Sequence, residues 1–247
     1  MLPFLIALQF LTIVPVQLKQ IPTARQNAQS LLFYPLIGLL VGLLLFGLSV
    51  ALIKLPTILL ASIVLVIWIW LTGGLHLDGL ADIADAWVGG FGDRERTLQI
   101  MKDPACGPIG VLSLIIVCLL KFAALYVLIE QHLNVFLVLV PMLGRSVALF
   151  LFLTTTYVRD KGLGRSMTDF LPKTIAWIVF VITLSLLYLF KWYGLAVLIS
   201  FLLSVVYLRF IFIKRIGGVT GDTIGAAIEL LETNTLITFV VAYFYIS

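Results

Sequence analysis

Charge is scarce in this chain. Asp, Glu, Lys and Arg make up 11% of its 247 residues, against 62% hydrophobic residues. A soluble domain carries about 25% charged residues. The mean hydropathy is +1.18. So few charges cannot coat a water-soluble globule, which excludes a cytosolic enzyme and a disordered chain. Cysteine is nearly absent. Cys106 and Cys118 are too few for a disulfide-stapled secreted domain, and with only two histidines they offer no zinc-ligand spacing. No basic stretch followed by a small-residue cleavage site opens the chain, so a cleavable signal peptide is not evident. The net charge of +4 does not imply nucleic acid. It is what a membrane protein collects on its cytoplasmic loops.

Long apolar runs are present instead. Six stretches of crossing length fall at 31–53, 57–75, 108–129, 133–155, 174–190 and 194–211, and a shorter seventh at 233–247. These predict an all-α polytopic membrane protein, a single domain over 1–247, with about seven transmembrane helices. Residues 1–18 are apolar but interrupted by Pro3 and Pro15, and they leave spanning, re-entry and interfacial placement open. Gly38 and Gly42 form a GxxxG pair that allows close helix packing, and an oligomer is compatible with it. The basic residues test the span list. If segments 19–30, 76–107, 156–173 and 209–222 share one face, that face carries 12 of the 16 cations, Lys161 among them, and the other carries only Lys54 and Lys191. The rich face is expected to be cytoplasmic.

The 12 acids are as unevenly spread. Asp78, Asp82, Asp85, Asp93, Glu95 and Asp103 crowd into 78–103, and Asp222, Glu229 and Glu232 open the last segment. Asp78, Asp82 and Asp85 are spaced i, i+4, i+7, so on a helix they project from one face. Three carboxylates in one stripe repel unless a cation sits among them, and hard oxygen ligands suit Mg²⁺ or Mn²⁺. Arg94, Arg96 and Lys102 follow directly. Cations beside a metal are the usual means of holding a diphosphate during phosphoryl transfer. Asp222 and Glu229 again share a helical face, after Lys214 and a glycine-rich turn in which Thr220 is a candidate cap beside a phosphate. The pattern Gly-Gly-x3-Asp-x6-acid occurs at 73–85 and at 217–229, which suggests a parallel internal repeat with a site between the halves. Arg145 is a cation inside a predicted span and needs an acid or an anionic ligand. His76 stands one turn from the carboxylates, as a base or a hydrogen-bond donor.

These residues carry a resemblance. GGLHLDGLADIAD (73–85), RERTLQIMKD (94–103) and GGVTGDTIGA (217–226) resemble the signature segments of the cobalamin synthase family, adenosylcobinamide-GDP ribazoletransferases. QFLTIVPV (9–16) and FYPLIGLLVG (33–42) are similar to that family's opening, so the resemblance runs from residue 9 to about 232. The chain departs from the usual family run after Asp103, where Pro104-Ala105-Cys106-Gly107-Pro108 stands. The resemblance implies an Mg²⁺-dependent membrane transferase that joins adenosylcobinamide-GDP to α-ribazole or its 5′-phosphate and releases GMP. On that reading Asp78, Asp82, Asp85 and Asp222 are expected to hold Mg²⁺. Arg94, Arg96, Lys102, Arg145, Lys214 and Thr220 are expected at the substrate. Asp82, Asp103, His76 or Glu229 takes the hydroxyl proton. The rivals are another membrane phosphotransferase of the CDP-alcohol type and a divalent-cation or metabolite transporter. Both acid clusters lie on one predicted face, which favours an enzyme.

Overall fold

The computed structural model describes residues 1–159 and 163–246; Lys161, counted above on the basic face, lies outside them. Among the described residues the chain is helical, and its β structure is one isolated parallel bridge between Tyr157 and Val219. The first helix, α1 (Leu2–Leu11), has ten residues. At 1.5 Å per residue it is about 15 Å long, half of a ~30 Å hydrocarbon core, so the apolar start does not cross alone. α2 (Ala24–Ser30) begins with a reciprocal cap: the Thr23 hydroxyl accepts from the Gln26 amide and the Gln26 side chain accepts from the Thr23 amide. It runs through a short 3₁₀ turn into α3 (Tyr34–Ala51).

α4 (Thr57–Leu71) and α5 (Leu75–Gly89) are separated by a sharp bend of 87°. Gly73 and Gly74 make the bend with φ of 63° and 67°, a left-handed backbone that a side chain disfavours. α5 thus runs across the direction of α4. α6 (Arg94–Ile100) is capped by Asp93, whose carboxylate accepts from the Arg96 amide. α7 (Pro108–Glu130) starts on a proline, whose missing N–H costs nothing at that position. α8 (Val140–Thr154), α9 (Leu163–Phe170), α10 (Lys173–Ser185), α11 (Lys191–Ile216) and α12 (Gly221–Ile246) complete the bundle.

Five apolar helical stretches among the described residues have crossing length, or six if α4 and α5 count as one bent crossing. The difference from the expected seven has two sources. The 57–75 stretch forms a helix, Thr57–Leu71, shorter than a span. The stretches 174–190 and 194–211 belong to one 44-residue helical run, which folds back on itself: Trp177 meets Phe150 and Arg209 bonds the Thr154 carbonyl towards one end of α8, while Phe190 and Tyr193 meet Phe136 ahead of the other. That run breaks at Lys191 (φ 51°), where Gly194 presses against the Leu187 carbonyl oxygen. Leu119 and Leu203 are 62% and 68% exposed on the outer helices, which fits a surface bathed in lipid tails.

α8 is the axis: 83% of its span is buried, against 22% for the α10–α11 run. The GxxxG pair serves this packing. A Cβ on Gly38 or Gly42 would collide with the backbone oxygens of Pro141 and Val138, so the motif seats α3 against the chain's own α8 region.

Candidate active site

The site grows from the crossing of α5 over the start of α12. Small residues allow it. A Cβ on Gly79 would stand 2.9 Å from the Asp222 carbonyl oxygen, and one on Gly225 3.3 Å from the His76 Cα. The two glycine turns picked out by the repeated pattern therefore lead into helices that touch each other. The likeness stops there: α5 has 15 residues and lies crosswise, whereas α12 has 26 and is long enough to cross. Thr220 does cap α12. Its hydroxyl accepts from the Thr223 amide while the Thr223 hydroxyl accepts from the Thr220 amide.

Asp78, Asp82 and Asp85 do share one face of α5, and Asp222 comes to it from α12, but the four carboxylates have different partners. Both oxygens of Asp85 accept backbone bonds from the start of α7, from the Gly107 amide at 2.6 Å and the Gly110 amide at 2.9 Å. This satisfies two donors that a helix start leaves free. Asp222 is held by the Arg159 guanidinium at 2.5 Å. Asp82 is half-buried. Burial first, then the charges of Asp78 and Asp222, push its carboxyl up to about 6, against a smaller opposing pull from Arg159. Among the described residues no three His, Cys, Asp or Glu side chains converge as a ready metal cluster. The donors still fit a hard divalent cation by chemistry. Mg²⁺ is commonly bound through one or two carboxylates together with waters and substrate phosphates, and a cation here would relieve the crowding felt by Asp82.

Removing Asp85 tests its place at the α7 start. Asp85→Ala is expected to lower the thermal stability of the detergent-solubilised protein, by about 1–3 kcal/mol for amides left unpaired. A melting curve identical to wild type would remove this anchoring role.

Asp78, Asp222 and Arg159 open onto a cavity of about 330 Å³ between α1, α5, α8 and the start of α12. Arg159 is a site residue that the sequence placed only in a charge count, and Tyr157 beside it was not singled out. Both are held by a short backbone ladder, in which the Val158 amide donates to the Val219 carbonyl and the Val219 amide to the Thr156 carbonyl, each at 2.9 Å. Gly218 makes that approach possible, since a Cβ there would collide with the Thr156 oxygen. His76 is 4% exposed, lines the cavity, and its Nδ1 has no hydrogen-bond partner in the protein. Burial, with Arg145 and Lys121 nearby, lowers its pKa well below the ordinary value and keeps the ring neutral.

The remaining expected residues divide. Arg94 and Lys214 line a second cleft with Trp87, Phe91 and Arg215, where the Arg94 Nε donates to the Ile216 carbonyl at 2.8 Å. Arg96, Lys102 and Asp103 are exposed, and Asp103 accepts from the Ala105 amide. Glu229 and Arg145 lie deeper. Seven residues beyond Asp222, Glu229 is about 10 Å further along α12. There Lys121 bonds Glu229 at 2.5 Å and Glu232 at 2.6 Å, Arg145 pairs with Glu232, and the Lys121 ammonium sits 4.6 Å from the Trp68 ring centroid. Two cations and two acids give a neutral buried network, the arrangement expected of charge within lipid.

Fold and site together define an integral membrane enzyme whose candidate site lies where α5 crosses the start of α12. Residues 3–240 match the cobalamin-5-phosphate synthase family. The chain is 66% identical, over the full length of both, to an adenosylcobinamide-GDP ribazoletransferase of Acinetobacter baumannii (strain ACICU). It is 51% identical to one of Pseudomonas fluorescens (strain Pf0-1), with 96% of this chain and 98% of that one covered. No solved structure matches it. The chain belongs to the cobalamin-5-phosphate synthase family.

Proposed function

We propose that the protein joins adenosylcobinamide-GDP to α-ribazole or its 5′-phosphate, with release of GMP. A ribose hydroxyl oxygen of the acceptor forms a bond to the phosphorus on the cobinamide side. The bond from that phosphorus to the GMP phosphate oxygen breaks, and the hydroxyl proton passes to a carboxylate of the site. The observation that carries this reading is the α5–α12 crossing, which sets Asp78 and Asp222 at one cavity beside Arg159, with Asp82 on the same helix. Asp78 and Asp82, joined by Asp222, are the residues to hold Mg²⁺, which when bound supplies positive charge to the diphosphate. Arg159 and, from the neighbouring cleft, Arg94 and Lys214 supply fixed cations for the phosphates. The 12-to-2 bias of basic residues supports a site facing the cytoplasm of a prokaryotic inner membrane. The transporter alternative is disfavoured by the deep acids: Glu229 and Glu232 are engaged by Lys121 and Arg145 and do not form an open cation path.

The test is direct. In detergent, with adenosylcobinamide-GDP, α-ribazole and Mg²⁺, the protein is expected to yield GMP and corrinoid product in equal amounts. EDTA stops both, and added Mg²⁺ restores them. A folded preparation that gives no product with Mg²⁺ overturns the reading; undiminished turnover in EDTA overturns its metal part.

A further inference from the structure

The cavity at Asp78 and Asp222 has walls that phosphate chemistry does not explain. Its volume is about 330 Å³, at the low end of the ~300–1,000 Å³ of small-molecule sites. A corrin macrocycle carrying a guanosine diphosphate tail does not fit such a space, whereas a nucleoside does. The lining away from the carboxylates is aromatic. Phe10 and Tyr34 lie nearly parallel, with ring centroids 6.1 Å apart and 21° between planes. Phe152 and Tyr157 form a second such pair at 6.0 Å and 19°. Tyr157 is held in place, because the Thr156–Val158 backbone is bonded to Val219 and Gly164 packs directly against its ring. A rigid aromatic wall suits a flat apolar ring system. The buried His76 Nδ1, without a partner in the protein, adds one polar contact inside that wall.

We infer that this cavity is the acceptor subsite: it takes α-ribazole with its fused-ring dimethylbenzimidazole base against Phe10, Tyr34, Phe152 and Tyr157 and its ribose toward Asp78 and Asp222, an inference that rests on the transferase reading above. His76 gives the bound nucleoside a hydrogen bond. The corrinoid stays outside, and only its diphosphate reaches the carboxylates. Specificity for the base follows from the wall. An apolar bicyclic base gains by leaving water, and a base rich in exocyclic polar groups leaves them unpaired there.

The experiment is equilibrium binding of radiolabelled α-ribazole to the detergent-solubilised protein in Mg²⁺, together with steady-state kinetics for both substrates. Wild type is expected to bind α-ribazole without any corrinoid present, and unlabelled inosine is expected not to displace it. Phe10 is 41% exposed, so Phe10→Ala keeps the fold. It is expected to weaken α-ribazole binding and to raise its KM about tenfold, while the KM for adenosylcobinamide-GDP stays within about twofold. Phe152→Leu, checked by its melting curve, is expected to do the same. Absence of α-ribazole binding, equal displacement by inosine, or a rise in the corrinoid KM alone overturns the subsite. Binding that depends on Phe10 in a protein that never releases GMP keeps the subsite and instead overturns the transferase reading.

Discussion

Asp82→Asn is expected to lower turnover by roughly 10³-fold or more, a loss in the range of removing a metal-binding or proton-accepting carboxylate, while the protein stays folded in its membrane. Asn has the shape of Asp without its charge. Asp82 is half-buried and lies among Asp78, Asp85 and Asp222, whose charges push its carboxyl up. The free protein therefore gains or holds stability when that charge goes, and only the liganded state suffers. Two measurements separate this from a general loss of structure. Without metal, the variant melts at or above the wild-type temperature. With millimolar Mg²⁺, the wild-type melting temperature rises because the ion binds only the folded state, and the variant's does not. Turnover within tenfold of wild type would remove Asp82 from the site.

Glu232→Leu acts through the fold. Glu232 pairs with Arg145 and with Lys121 and is fully buried. Gly144 leaves room for it, since a Cβ there would stand 2.5 Å from the Glu232 Cγ. Its loss leaves Arg145 without its acid in the bundle interior and Lys121 with Glu229 alone. Breaking a buried pair from one side costs about 3–5 kcal/mol, a large share of the ~5–15 kcal/mol that holds a typical protein folded. The expected result is little monodisperse protein after extraction and a much lower melting temperature. The double variant Arg145→Leu/Glu232→Leu keeps Lys121 with Glu229 and restores neutrality, so most of the folded yield is expected to return. If the double variant is no better than the single, loss of packing rather than of charge balance explains the defect.

The fold was legible where one physical signal dominated. Apolar length marked α3, α7 and α8. The i, i+4, i+7 spacing correctly put Asp78, Asp82 and Asp85 on one face of a helix. Spacing says which face a side chain takes and nothing about what packs there. That is why the bonds from Asp85 to the Gly107 and Gly110 amides, and from Asp222 to Arg159, were not readable from the chain. Arg145 was recognisable as needing an acid, but Glu232 as that acid is 87 positions away and is a property of how α8 meets α12. The stretch 57–75 was read as a full crossing because hydropathy has no term for direction, whereas its helix ends at Leu71. Gly73 and Gly74, both present in the sequence, are what turn it. The aromatic wall was least visible: Phe10, Tyr34, Phe152 and Tyr157 come from three distant segments and stand among 17 phenylalanines and 8 tyrosines with nothing local to mark them.

The cavity takes its walls from Phe10 in α1 and from Asp222 at the start of α12. A ribosome adding 5–20 residues per second needs roughly 10 to 40 s to pass from one to the other. Throughout that interval the cavity lacks the wall that α12 supplies. Catalytic competence thus arrives as a single late event in synthesis, and a chain that stalls before α12 can neither capture the nucleoside nor consume the activated corrinoid.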